Sequence, residues 1–357
     1  MTGERAPPPP PRLSAVEWLR VAGCVAVIII HATPFNRGGG LGQAWNAATV
    51  ANQLARFAVP AFFVLSGYFW AHRTPTPQAV RAVTVPMVGR LLLLFAAWSV
   101  VYGLPFDGGL FTHDVPHAYV DQLARNARWI ASHPGTVLLQ GTNGHLWFLP
   151  ALASAITGVA LLRGALRAPV AHRAMAVVAV VAWAVALLAG PYARTRWGLQ
   201  LPFNPRNGPA FALPCVVAGG LLARGTPSAR WVAMGAALLV GGAWLSAAEL
   251  SWLREAHRVR LTQDYVAGTL AVGVGAAMVA LANPRWLHGA RVAALGPAVL
   301  GIYLVHPMMV DLLQPATRRL PPLPGDAALL AAVFLLSLGA TRLLQRHPRT
   351  RWLVSTR

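Results

Sequence analysis

Apolar residues run through this chain in long blocks separated by short polar gaps, and the block length sets the first reading. Ten such segments can be drawn, approximately 15–35, 49–71, 86–106, 145–163, 173–190, 209–223, 231–248, 264–282, 292–313 and 326–345. A helix needs about 20 apolar residues to cross the hydrocarbon core of a bilayer, and most of these blocks qualify. The weakest is 209–223, which is short and carries Pro209 and Pro214. The pattern predicts an all-α, polytopic membrane protein with about ten transmembrane helices. The longest connection, 107–144, contains Tyr119, Val120, Leu123, Ala127 and Ile130 at helical spacing, with Asp121, Arg125 and Arg128 on another face. It predicts a helix lying on the membrane or solvated beside it. No internal repeat is visible. Residues 15–346 are expected to form one membrane domain, with a Pro-rich disordered tail at 1–14 and a basic tail at 347–357. The proline run Pro7 to Pro11 favours an extended chain, and no cleavage-site pattern of a signal peptide follows it.

Composition strengthens this reading. The chain is 56% hydrophobic and 11% charged, with a mean hydropathy of +0.51. A soluble domain carries about a quarter charged residues, so a water-soluble enzyme of this length is excluded. The net charge of +20 could suggest nucleic acid. All 30 basic residues are arginines, however, and they sit mainly between apolar blocks, which fits membrane orientation and anionic headgroups instead. Ten spans put both termini on one side. Placing that side in the cytoplasm leaves eighteen arginines inside against twelve outside, which predicts an N-in, C-in topology. Cys24 and Cys215 lie far apart in apolar stretches and predict neither a disulfide framework nor a metal site.

Candidate chemistry concentrates in four places. In the first segment Glu17, Arg20 and His31 are spaced so that Arg20 and His31 share one helical face within about 20°, about 16 Å apart along the axis. Glu17 can pair with Arg20 three residues on. Ionisable groups inside a span are costly, so an aligned triple points to function. In the second segment Pro60 is expected to bend the helix, and Ser66-Gly67 to let another backbone approach. Ser66 is a weak chemical signal, because serines commonly bond within their own helix. The fourth segment opens on His145 and Trp147, the latter expected as an interfacial anchor. The ninth holds Tyr303, His306 and Pro307; the carbonyl that Pro307 frees could bond His306 locally. No metal-ligand spacing, phosphate-cradling loop or dinucleotide fingerprint is present.

Taken in order, Glu17-Trp18-Leu19-Arg20 with His31, Pro60 through Tyr68, His145 through Pro150 and Tyr303 through Pro307 resemble the membrane-bound acyltransferase-3 family, particularly its surface-polysaccharide O-acyltransferases. The resemblance spans nearly the whole chain. It implies transfer of an acyl group, most often acetyl, from acyl-CoA to a hydroxyl of a cell-envelope carbohydrate or lipid-linked glycan, by a multi-pass protein of the inner cell membrane. Acyl-CoA would be a co-substrate, with no permanently bound cofactor, no metal and no nucleic-acid partner. His31 is the expected catalytic residue, as a base or as a transient acyl-imidazole, with Glu17 orienting Arg20. Arg20, Arg73 and Arg90 are expected to hold the donor's phosphates. Ser66, Tyr68, His145, Trp147, Tyr303 and His306 are expected to contact substrate. The sequence departs from the family at Glu17, where Asp is usual, and at Met87, which stands where many members place the first arginine of an Arg-x-x-Arg pair ending at Arg90. The rivals are a secondary transporter or flippase of a small solute or lipid-linked sugar, and a non-catalytic binding module.

Overall fold

The computed structural model describes residues 13–104, 115–166, 168–288 and 290–355. These fold into helices: α1 (Ser14–Ala32), α2 (Ala47–Ala55), α3 (Ala58–Arg73), α4 (Pro77–Gly103), α5 (Val115–Ser132), α6 (Pro134–Gln140), α7 (Phe148–Ala165), α8 (Ala168–Ala189), α9 (Pro209–Leu222), α10 (Ala229–His257), α11 (Ala267–Leu281), α12 (Ala290–Ala293), α13 (Val299–Thr317) and α14 (Pro322–Arg346). No strand occurs among the described residues. The chain is an all-α, polytopic membrane protein. Residues 1–12 of the expected Pro-rich tail, and 356–357 of the basic one, lie outside the described residues.

Every one of the ten apolar blocks coincides with a helix, but among the described residues eight helical stretches are long and apolar enough to cross a membrane. The exceptions are α9, with 14 residues, and α11, with 15. A 14-residue helix rises only about 21 Å, short of the roughly 30 Å core. It is tolerated because α9 is wrapped by α3, α7, α8 and α11 and so meets protein rather than lipid. The contact with α3 is very close: a side chain on Gly67 would strike the Val216 carbonyl, and one on Gly219 the Val64 carbonyl. Small residues permit such backbone approach between membrane helices. Gly235 and Gly242 of α10 bring it against Gly275 and Gly268 of α11 in the same way. Elsewhere the outer faces are apolar and open, as at Val240 and Trp244 of α10 and Val177 and Val180 of α8.

Prolines shape the helices that carry the site. The second apolar block is split into α2 and α3 at Arg56-Phe57. Pro60 supplies no N–H to the Arg56 carbonyl four residues back, and its ring crowds that carbonyl, so the bend falls there and turns Arg56 out of the helix. Pro307 stands inside α13 and leaves the Tyr303 carbonyl without its usual backbone donor.

The bundle has two distinct ends. At one, the amide of Ala15 donates to Asn283 Oδ1 (3.1 Å), and Glu17 lies nearby. At the other, Arg37 bonds Asp326 (3.0 Å) and the Leu261 amide donates to Gly42 (2.9 Å), beside His31. The expected helix in the long connection is present as α5, with Val120 and Leu123 exposed. In the expected basic tail, residues 352–355 dock on α4: the Trp98 indole donates to Leu353 O (2.9 Å) and Val354 is fully buried.

Candidate active site

His31 is the last-but-one residue of α1, at the end of the bundle away from Glu17. The residue is exposed. The ring centroids of His306 and His145 are 5.1 and 6.4 Å away, and those two lie 5.6 Å from each other. The exposed His31 thus stands beside two buried imidazoles. Sequence spacing predicted the face of His31; the triangle of three imidazoles, drawn from α1, α13 and the turn before α7, is the work of tertiary packing.

Hydrogen-bond chemistry fixes how the two buried rings are held. His306 Nδ1 is 2.7 Å from the Tyr303 carbonyl, the one Pro307 has freed. A carbonyl only accepts, so Nδ1 carries the proton. His145 Nδ1 lies 2.9 Å from Asn143 Oδ1, which also takes the His145 amide (3.4 Å), so that ring too is protonated at Nδ1. The neutral rings therefore carry their lone pairs at Nε2. Both Nε2 atoms are buried and have no hydrogen-bond partner among the described residues. Tyr303 braces the pair, its hydroxyl donating to the His145 carbonyl, while Tyr102 donates to Leu304 O (2.7 Å).

Beside the triangle, Arg56 and Arg206 grip one carboxylate. Arg56 Nη1 bonds Asp264 Oδ1 and Arg206 Nη1 bonds Asp264 Oδ2 at 2.7 Å. Asp264 sits in the loop between α10 and α11. Burial pushes its pKa up, but the two guanidiniums outweigh this and hold it below the ordinary carboxylate range. Arg206 lies over the Trp147 ring, 5.2 Å from its centroid. Trp147 is buried among Phe63 and Phe211, so the expectation of an interfacial anchor is corrected: this tryptophan is the floor beneath Arg206.

A family model described as an acyltransferase domain matches residues 13–342. The chain belongs to the acyltransferase-3 family. No curated protein and no solved structure matches it. As a member, this acyltransferase is a multi-pass membrane protein that moves an acyl group to a carbohydrate or similar acceptor.

The remaining expected site residues of the acyltransferase lie elsewhere. Arg20 pairs with Glu17 at 3.2 Å and remains a third exposed on its side chain. Because α1 is unbroken, Arg20 and His31 keep the common face and stand about 16 Å apart along it. The Glu17 carboxylate occupies the space that a side chain at Gly296 would take. Arg73 is exposed at the Glu17 end of α3. Arg90 does not share that freedom: its guanidinium donates to the carbonyls of Trp352 and Ser355 and stacks on Trp352 (5.8 Å), so those donors are taken up before any phosphate arrives. Ser66 donates to Phe62 O (2.8 Å), the in-helix bond its weak signal implied. Tyr68 is buried beside His72 (4.4 Å), ten residues along α3 from Ala58 and so about 15 Å from that end of the helix.

Proposed function

We propose that this acyltransferase moves an acyl group, most readily acetyl, from acyl-CoA to a hydroxyl of a cell-envelope carbohydrate, with His31 as the base. The observation that carries the reading is the pair of buried, unpartnered Nε2 lone pairs on His145 and His306 beside the open ring of His31. Buried acceptors without donors cost about 1–3 kcal/mol each, and a polyhydroxylated acceptor supplies the missing O–H groups.

The step balances simply. The acceptor hydroxyl oxygen attacks the thioester carbonyl carbon while a His31 nitrogen takes its proton; the C–S bond then breaks, and that proton passes to the departing thiolate. General base catalysis of this kind contributes typically 10²–10⁴-fold. Arginine distribution favours the Glu17 end as cytoplasmic. There Arg20, oriented by Glu17, and the exposed Arg73 would hold the donor's phosphates, with the thioester arm running along α1 to His31. The acceptor comes from the opposite side of the inner membrane.

The test is acyl-CoA consumption by purified protein, together with mass spectrometry of envelope glycans from cells carrying wild type or His31→Ala. Loss of the acyl increment with normal membrane insertion supports the reading. Undiminished transfer by His31→Ala sinks it.

A further inference from the structure

The acyl-transfer step leaves one group of charges at the His31 end unused. Arg56 and Arg206 share the single carboxylate of Asp264, so the group carries one positive charge in surplus. It is not a solvated surface pair: the side chains of Arg56, Arg206 and Asp264 keep only 17%, 23% and 26% of their surface. A largely desolvated charge without a partner is costly, and such a surplus invites a second anion.

Donor accounting shows where that anion would bind. Arg56 is committed: Nε and Nη2 both donate to Asn52 Oδ1 (3.2 and 3.1 Å), and Nη1 to Asp264. Arg206 is not. Its Nε donates to Asn207 Oδ1 (3.2 Å) and its Nη1 to Asp264, while no acceptor faces Nη2 among the described residues. The guanidinium is nevertheless firmly placed. Trp147 supports its face, and Asn207 is itself held by Gln140 (3.0 Å). A guanidinium held through Nε and Nη1, with Nη2 left without an acceptor, can donate to a carboxylate or phosphate oxygen. Trp147, which carries the Arg206 guanidinium, follows His145 in one short turn, so an anion bound here lies at the same end of the bundle as the three imidazoles.

We propose that the Arg206 edge of this bridge is an anion subsite, and that the acceptor is an acidic sugar bearing a carboxylate or a phosphate rather than a neutral one. The proposal rests on the His31 end being the acceptor side, as argued above.

Binding without any donor present tests it apart from the chemistry. The full chain in nanodiscs is titrated at low salt with glucuronate, glucose 1-phosphate and glucose, read by tryptophan fluorescence and calorimetry. At least one of the two acids is expected to bind about tenfold or more tighter than glucose, the worth of one charge-assisted hydrogen bond. The tighter acid identifies the anion as carboxylate or phosphate. Arg206→Gln should erase that preference and leave glucose binding unchanged; Arg206→Lys, which keeps the charge but loses the planar guanidinium, should restore part of it. Equal binding of glucose and both acids, or a preference that survives Arg206→Gln, overturns the proposal. So does an Arg206→Gln variant that loses coenzyme A binding instead, since the subsite then belongs to the donor. Acid binding through Arg206 in a protein that consumes no acyl-CoA would leave the subsite standing and remove the transfer reading.

Discussion

The Tyr303 carbonyl can be satisfied by only a few groups, and this makes the tautomer of His306 experimentally accessible. In the native chain Pro307 offers it no N–H, and His306 Nδ1–H fills the vacancy at 2.7 Å. His306→Ala removes that donor from a buried carbonyl, costing about 1–3 kcal/mol on top of the void left by the ring. Pro307→Ala introduces a backbone N–H in register with the same carbonyl, four residues back along α13. In the double variant the void persists but the carbonyl is met again. The double variant should therefore be less destabilised than the sum of the single ones by about 1–3 kcal/mol. Equilibrium denaturation of the four proteins in the same mixed micelles measures this. Additivity to within about 0.5 kcal/mol would show that Pro307 does not direct the His306 proton, and the argument for a bare Nε2 would go with it.

Other expectations are more direct. Gly219→Ala drives a methyl into the Val64 carbonyl and should cost about 1–3 kcal/mol, lowering the thermal midpoint, whereas Gly220→Ala, which meets nothing within 4 Å, should leave it in place; equal effects would refute the α3–α9 contact. Arg20→Ala should raise the KM for acyl-CoA far more than that for the acceptor in steady-state kinetics, and an unchanged donor KM would release Arg20 from the phosphates. Asp264 has its pKa lowered on folding, so its contribution is complete above the unfolded value near 3.9 and disappears as pH falls through the folded value. Acid unfolding curves should flatten over that window in Asp264→Asn; an unaltered curve would mean the bridge contributes nothing.

What could be read from the chain, and what could not, follows from the range of the interactions. Helical phase is local, so the common face of Arg20 and His31 and the positions of all ten apolar helices were visible in spacing alone. The Pro60 bend was also visible, because proline acts on its own carbonyl four residues back. The bridge of Arg56, Asp264 and Arg206 was not: Asp264 lies 208 residues from one partner and 58 from the other, and two of the three stand in loops that carry no periodicity. Trp147 read as an anchor because tryptophan at a span end usually is one; only the arginine arriving from the segment before α9 makes it a buried floor. Arg90 read as a phosphate ligand because backbone carbonyls from a distant segment leave no sign in a sequence.

The docking of residues 352–355 on α4 has a consequence for biogenesis. Arg90 and Trp98 find their acceptors 255 to 265 residues further along the chain. At roughly 5–20 residues per second, α4 waits on the order of tens of seconds after leaving the ribosome before its guanidinium and indole are capped. During that interval it must be held by water, headgroups or the insertion machinery. Closure of this clasp is a late event in the birth of the protein, and changes at Trp352 or Leu353 should be felt first as poor yield rather than as altered turnover.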